Sequence, residues 1–216
     1  MWFLGKDITF EYLIIRILVV MIIIFGIFPL KQYFYSKVAD TLGDDTPRIA
    51  GKLNLNPFAG FDFFGALCLL LFNWGWAKDI LINPLNFKNP RRDTFITGIT
   101  APITHILAAV VGGLLLNVTG IINILPVRSF LISLITLYIY MNVMLASMEF
   151  LPIRPFKGFQ IWQVFLPRRA VRWYYENYNM VSIVVCLLLI FGLFTGPLIY
   201  IQNVIYNFII RLTCIV

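Results

Sequence analysis

Histidine occurs once in this chain, at His105, and only 12% of the residues are charged, against about a quarter in an ordinary soluble domain. One imidazole excludes any metal site built on two histidines. Paired carboxylates, a Ser-His-Asp set and a glycine-rich phosphate loop are missing too, so no familiar hydrolytic or phosphate-handling constellation stands out. Cys68, Cys186 and Cys214 have no metal-type spacing, and the first two lie inside apolar runs; this argues against a disulfide framework and for reduced, packed thiols. Low-complexity tails, internal repeats and a soluble domain are also lacking, which makes residues 1–216 a single integral membrane unit in this reading.

What the chain has in abundance is hydrophobic surface, at 60% of residues, and a polypeptide so short of charge cannot cover itself with polar groups. About 20 apolar residues span a bilayer core. Runs of that kind lie at 8–30, 58–76, 95–117, 130–151 and 180–194, with a weaker one at 198–212. The expected fold is therefore an all-α, multi-pass membrane protein of five to six membrane helices. The first run is too long for a signal-peptide core and has no small-residue cleavage site, so it is read as retained. Its Arg16 either snorkels to the membrane face or pairs in the interior with Glu11. Pro29 kinks a first core helix that continues over 8–42 until Gly43-Asp44-Asp45 breaks it.

Residues 43–57 alternate polar and apolar types, as a small β element at the membrane surface would. The 58–76 run is long enough to span, but charge places the loops on both sides of it together, so a re-entrant path is preferred to a crossing. A second core helix is expected at 95–117 and a third at 130–151. An aromatic, basic stretch at 159–179 suits the headgroup layer, and 180–212 forms a helical hairpin split at Gly196-Pro197.

The net charge is +7, and 13 of the 17 Lys and Arg fall in the loops at 31–52, 78–92 and 154–172. In a membrane protein such clustering reports orientation rather than nucleic-acid binding, and it puts the basic loops in the cytoplasm. The lipid bilayer is the first partner, in an integral position consistent with a bacterial plasma membrane.

Several loops carry a resemblance: Leu42-Gly43-Asp44, the run from Arg48 to Pro57, Gly75-Trp76-Ala77-Lys78, Asn83-Pro84 and Lys88-Asn89-Pro90-Arg91-Arg92. Together they resemble the site-2 protease-like intramembrane zinc metalloproteases over roughly residues 30–212. That resemblance implies zinc held by H-E-x-x-H on the first core helix and by the Asp of Asn-x-x-Pro-x-Pro-x-x-Asp-Gly two core helices later. The histidine positions fall on Lys31 and Tyr35, and the general-base position on Gln32. In the second motif the ligand position falls on Lys157, the leading Asn on Glu149 and one proline on Arg154, while Pro152 and Gly158 remain. The family's Gly-Pro-x-x-Asn appears as Ala101-Pro102-Ile103-Thr104-His105. An ammonium has no lone pair to give a metal, so no cofactor is expected.

If the resemblance holds, these side chains converge below the cytoplasmic face, where Lys157, with Lys31, pairs with Glu149 and a fixed cation replaces the metal charge. The competing view is that both lysines drifted and simply reach for water. His105 is expected to be a hydrogen-bonded helix residue. The function implied is a catalytically inactive homologue that binds membrane-protein or transmembrane-peptide partners without cleaving them, with the edge of 48–57 as a pairing strand. The alternative is a transporter or lipid-handling subunit in which the polar cluster lines a path.

Overall fold

The computed structural model describes residues 9–191 and 195–213. The first helix, α1 (Phe10–Leu42), is 33 residues long. Thr9 caps it by accepting the Tyr12 N–H at 3.3 Å. The helix passes Pro29 through a π turn at Ile23–Ile27, where the Phe28 N–H reaches back to the Ile23 carbonyl. One wider turn immediately before the proline absorbs the bond that Pro29 cannot donate, so the helix continues. It ends at Gly43, whose φ of 114° is the left-handed closure that glycine adopts freely. Arg16 lies buried at 6% exposure on the inward face with Ile15, Val19 and Val20, so the snorkelling reading gives way to an interior position.

The expected β element at 43–57 is not formed, and there is no strand among the described residues. Its place is taken by a helical turn, Thr46–Ile49, followed by turns. The polar residues that mimicked strand alternation bond locally instead. Asn54 accepts the Asn56 N–H at 2.9 Å, Asn56 accepts the Phe58 N–H at 3.0 Å, and Gly51 sits at φ 65°. Such Asx turns compete directly with a ladder.

Helix α2 (Phe63–Phe72) has only ten residues, about 15 Å at the α-helical rise and roughly half a hydrocarbon core. From Trp74 to Ile82 the chain is extended without a sheet partner. Helix α3 (Pro90–Val118) starts on a proline, with Asp93 accepting the Asn89 N–H at 2.8 Å, and α4 (Leu125–Met148) returns antiparallel to it. Two short helices follow, α5 (Gly158–Trp162) and α6 (Arg168–Glu176), and then α7 (Tyr178–Ile190) and α8 (Thr195–Thr213). Gly196-Pro197 lies in the first turn of α8 rather than at the break between the two helices. The side chain of Cys186, all of Cys214 and the stretch 192–194 lie outside the described residues, so the reading of those two thiols is not addressed; Cys68 is a free thiol.

Three helices, α1, α4 and the α3 segment Pro90–Ile121, are long and apolar enough to cross a membrane, fewer than the five to six expected. Large exposed side chains such as Ile17, Met21, Leu107, Leu114 and Leu115 complete an integral membrane protein, since water would not tolerate so broad an apolar surface. α3 is the central element, packed on α1 and α4. Ile15, Val19, Ile23 and Phe28 of α1 meet Leu69, Met141 and Leu145, and Ala109 of α3 meets Ile139, Val143 and Ile209. Gly112 faces α4, where a Cβ would come 2.8 Å from Ile139; Gly113 faces α8, where it would come 2.1 Å from Thr213 Oγ1.

Gly113→Ala is therefore expected to lower stability by about 1–3 kcal/mol through overpacking. Gly120→Ala, at a position with open space, leaves the thermal midpoint of the detergent-solubilised protein unchanged.

Candidate functional site

Three residues on one face of α1, Lys31, Gln32 and Tyr35, point toward the loop that follows α4 and the extended chain after Trp74. Glu149 caps the C-terminus of α4 and is 2% exposed. Its Oε1 receives the Lys31 ammonium at 2.6 Å, and its Oε2 receives the Lys157 backbone N–H at 3.1 Å. Both oxygens of a buried carboxylate are thus engaged by donors, which is what a buried charge requires. Burial alone would raise the Glu149 carboxyl. The Lys31 ammonium outweighs it, with lesser help from Lys157, and holds the group below the usual carboxylate range.

The Lys157 side chain turns the other way. Its ammonium bonds the carboxylate of Asp79, donates to the Ile80 carbonyl at 3.2 Å, and lies 4.5 Å over the Tyr35 ring. Lysine 157 is 7% exposed, so it does not escape to water. The expected pairing of Lys157 with Glu149 is therefore made through the backbone, and the side-chain ion pair belongs to Lys31. Gly158, the next residue, fits because a Cβ there would sit 2.2 Å from the Phe150 carbonyl oxygen.

Gln32 donates to the Lys78 carbonyl at 2.8 Å, and Tyr35 donates its hydroxyl to Gln160 at 2.9 Å. His105 stands apart: its Nδ1 pairs with Asn142 Oδ1 at 3.1 Å and its ring meets Phe28 edge-on, while Nε2 has no hydrogen-bond partner among the described residues. Arg154 is at the rim, 3.9 Å from Asp79 and 5.3 Å over the Tyr178 ring.

Asp79 and Gln160 were not singled out from the sequence. Charge arithmetic held the missing signal: two lysines and one glutamate leave a buried cation uncompensated, and Asp79 sits directly beside Trp76-Ala77-Lys78. At the centre of these groups is a cavity of about 10 Å³, lined by Lys31, Tyr35, Asp79, Ala101 and Lys157. That volume is at the lower limit for a single water.

A second motif contact accounts for other loops. The buried Asp44 carboxylate accepts the Asn83 N–H at 2.8 Å and the Asn86 amide at 3.0 Å, and also bonds Thr46. Leu42-Gly43-Asp44 and Asn83-Pro84, far apart in sequence, are two halves of one joint.

Over 163 residues, 73% of this chain and 74% of the relative, the sequence is 29% identical to a protein of Bacillus subtilis (strain 168) named "Putative zinc metalloprotease YwhC". No family model matches the chain. No solved structure matches it.

The side chains present do not fit zinc. Among the described residues no group of three or more His, Cys, Asp or Glu could hold a metal ion. The positions aligned with the zinc motif instead supply two ammonium groups, an amide and a phenol whose proton is already committed to Gln160.

Glu149→Gln leaves the Lys31 ammonium buried without its counter-charge and is expected to cost about 3–5 kcal/mol, whereas Lys31→Met with Glu149→Gln costs less than either single change. Because the folded Glu149 carboxyl lies below its unfolded value of about 4.3, its contribution is complete above that pH and is lost as pH falls through the lowered value. Thermal unfolding of parent and Glu149→Gln in detergent checks this: their difference stays constant from about pH 7 to 5 and shrinks below about 4.

Proposed function

We propose that this chain is a non-cleaving homologue of the site-2 protease-like membrane metalloproteases, one that holds a membrane polypeptide without hydrolysing it. The observation that carries the reading is the Lys31–Glu149 ion pair at 2.6 Å, made by two residues that the motif spacing assigns to the zinc region. In this view Lys31, Gln32, Tyr35 and Lys157 stand where the zinc ligands and general base would be, Glu149 and Arg154 border them, and fixed cations substitute for the metal charge. The similarity to the Bacillus protein supports a common architecture.

The holding surface is a groove of about 640 Å³ beside the closed cluster, with Asp79–Leu85 on one wall and Tyr174, Tyr175 and Tyr178 on the other. An extended polypeptide lying there would pair with the sheet-free segment 79–82 rather than with 48–57, whose backbone is folded into turns. The ten-residue α2 favours a re-entrant path for 58–76, which brings the basic loops to one side, assigned to the cytoplasm by charge. The transporter or lipid-path reading gains no support from a polar cluster enclosing about 10 Å³.

Elemental analysis of protein purified from its native membrane is expected to give zinc far below one equivalent, and crosslinking before solubilisation to capture a membrane polypeptide of unchanged length. Stoichiometric zinc, or peptide cleavage abolished by a chelator, refutes the proposal.

A further inference from the structure

The corner where α6 meets the start of α3 has a charge distribution that neither the ion-pair cluster nor the groove uses. Arg168, Arg169 and Arg172 are all exposed, and Arg168 and Arg172 lie four residues apart on one face of a nine-residue helix. Like charges at that spacing repel and weaken a helix unless something neutralises them. Arg91 is tied to the same corner, donating to the Leu166 carbonyl at 2.7 Å, and the Phe95 and Phe165 rings meet edge-on at 6.2 Å. Arg92 and Lys88 are exposed alongside. No ion pair joins any of these six cations to a carboxylate among the described residues. The neighbouring Asp93 is buried and spent on the Asn89 N–H.

The same corner exposes large aromatic side chains: Phe165 at 72%, Trp173 at 51% and Trp162 at 46%. Aromatic rings with a polar edge beside unpaired arginines match the boundary between acyl chains and headgroups, where each basic residue gains from anionic lipid. On the other face of α6, Tyr174 is buried against Phe159 with ring centroids 3.3 Å apart, which fixes the helix so that its arginines point away from the protein.

We infer that this corner is a binding surface for the headgroups of anionic phospholipids, with α6 lying in the headgroup layer and the guanidinium groups of Arg168, Arg169, Arg172 and Arg91 contacting lipid phosphates. The choice of lipid over a soluble polyanion rests on the exposed aromatics, which an acidic protein or RNA does not need, and on the bilayer that α1, α3 and α4 already require.

The test uses the full chain in nanodiscs of phosphatidylcholine with increasing phosphatidylglycerol, reading lipid retained on the protein by native mass spectrometry. Phosphatidylglycerol is expected to be retained over phosphatidylcholine, the preference weakening as salt rises from about 50 to 300 mM. Replacing Arg168, Arg169 and Arg172 together with Gln lowers that preference on the order of 100-fold, at roughly one decade or less per charge. Replacing all three with Lys retains most of it, which separates lost charge from lost folding. Arg128→Gln, on α4 away from this corner, leaves the preference unchanged. Equal retention of the two lipids, an unchanged preference in the triple Gln variant, or displacement of phosphatidylglycerol by an acidic peptide or RNA at matched charge overturns the inference.

Discussion

The salt bridge between Lys31 and Glu149 spans 118 positions of sequence and joins α1 to the end of α4, and the surrounding loops are arranged to keep it satisfied. A carboxylate and an ammonium taken out of water lose several kcal/mol of hydration each, and their attraction returns that only when the remaining lone pairs and protons find partners. The Lys157 N–H fills the second oxygen of Glu149. This demand dictates where the α4–α5 loop must turn and why Gly158 is next. It also requires α1 to stay helical past Pro29, because Lys31 lies two residues beyond it. A clean break at the proline would swing the lysine away, and the π turn at Ile23–Ile27 keeps it aligned.

An extended chain crossing the end of a helical bundle has to find hydrogen bonds somewhere, and in this protein side chains supply them. Gln32 takes the Lys78 carbonyl, Lys157 takes the Ile80 carbonyl, and Asp44 takes the Asn83 N–H. Each anchor comes from a different part of the chain, so the segment is held at intervals, not along its length. Between the anchors its backbone faces the groove. A sheet partner would have satisfied every group and left nothing to bind; pinning by three side chains leaves an edge that stays accessible.

Much of the scaffold could be read from the residues. α1, α3 and α4 follow from apolar length, the kink region from Pro29, and the closure of α1 from Gly43. The error at 43–57 is instructive, because its polar-apolar alternation has the strand period while the polar members are Asn, and asparagine two residues before an amide bonds that amide in preference to a neighbour. α2 looked long because aromatic and small residues continue to Trp76, but Asn73 adopts a left-handed conformation at φ 61° and stops it. At the cluster, residue types announced a buried charge problem, yet the partner assignment was not legible. Nothing in one sequence says that Lys157 turns its ammonium to Asp79 and its backbone to Glu149, since that choice depends on where the extended chain crosses.

A hydrolytic zinc centre and a buried ammonium ask for different walls. The metal needs convergent lone pairs and one open position for water; the ammonium needs convergent acceptors and no water. Here the acceptors are Glu149, Asp79 and the Ile80 carbonyl, all donors to neither metal nor substrate once engaged, and the cavity they leave is about 10 Å³. Lysine in place of a ligand therefore does more than remove a metal-binding group. By recruiting Asp79 it draws the extended segment against α1 and closes the space in which a water would have attacked. A single reversion at one position could not reopen that space, because the second lysine and its carboxylate would still hold the segment down.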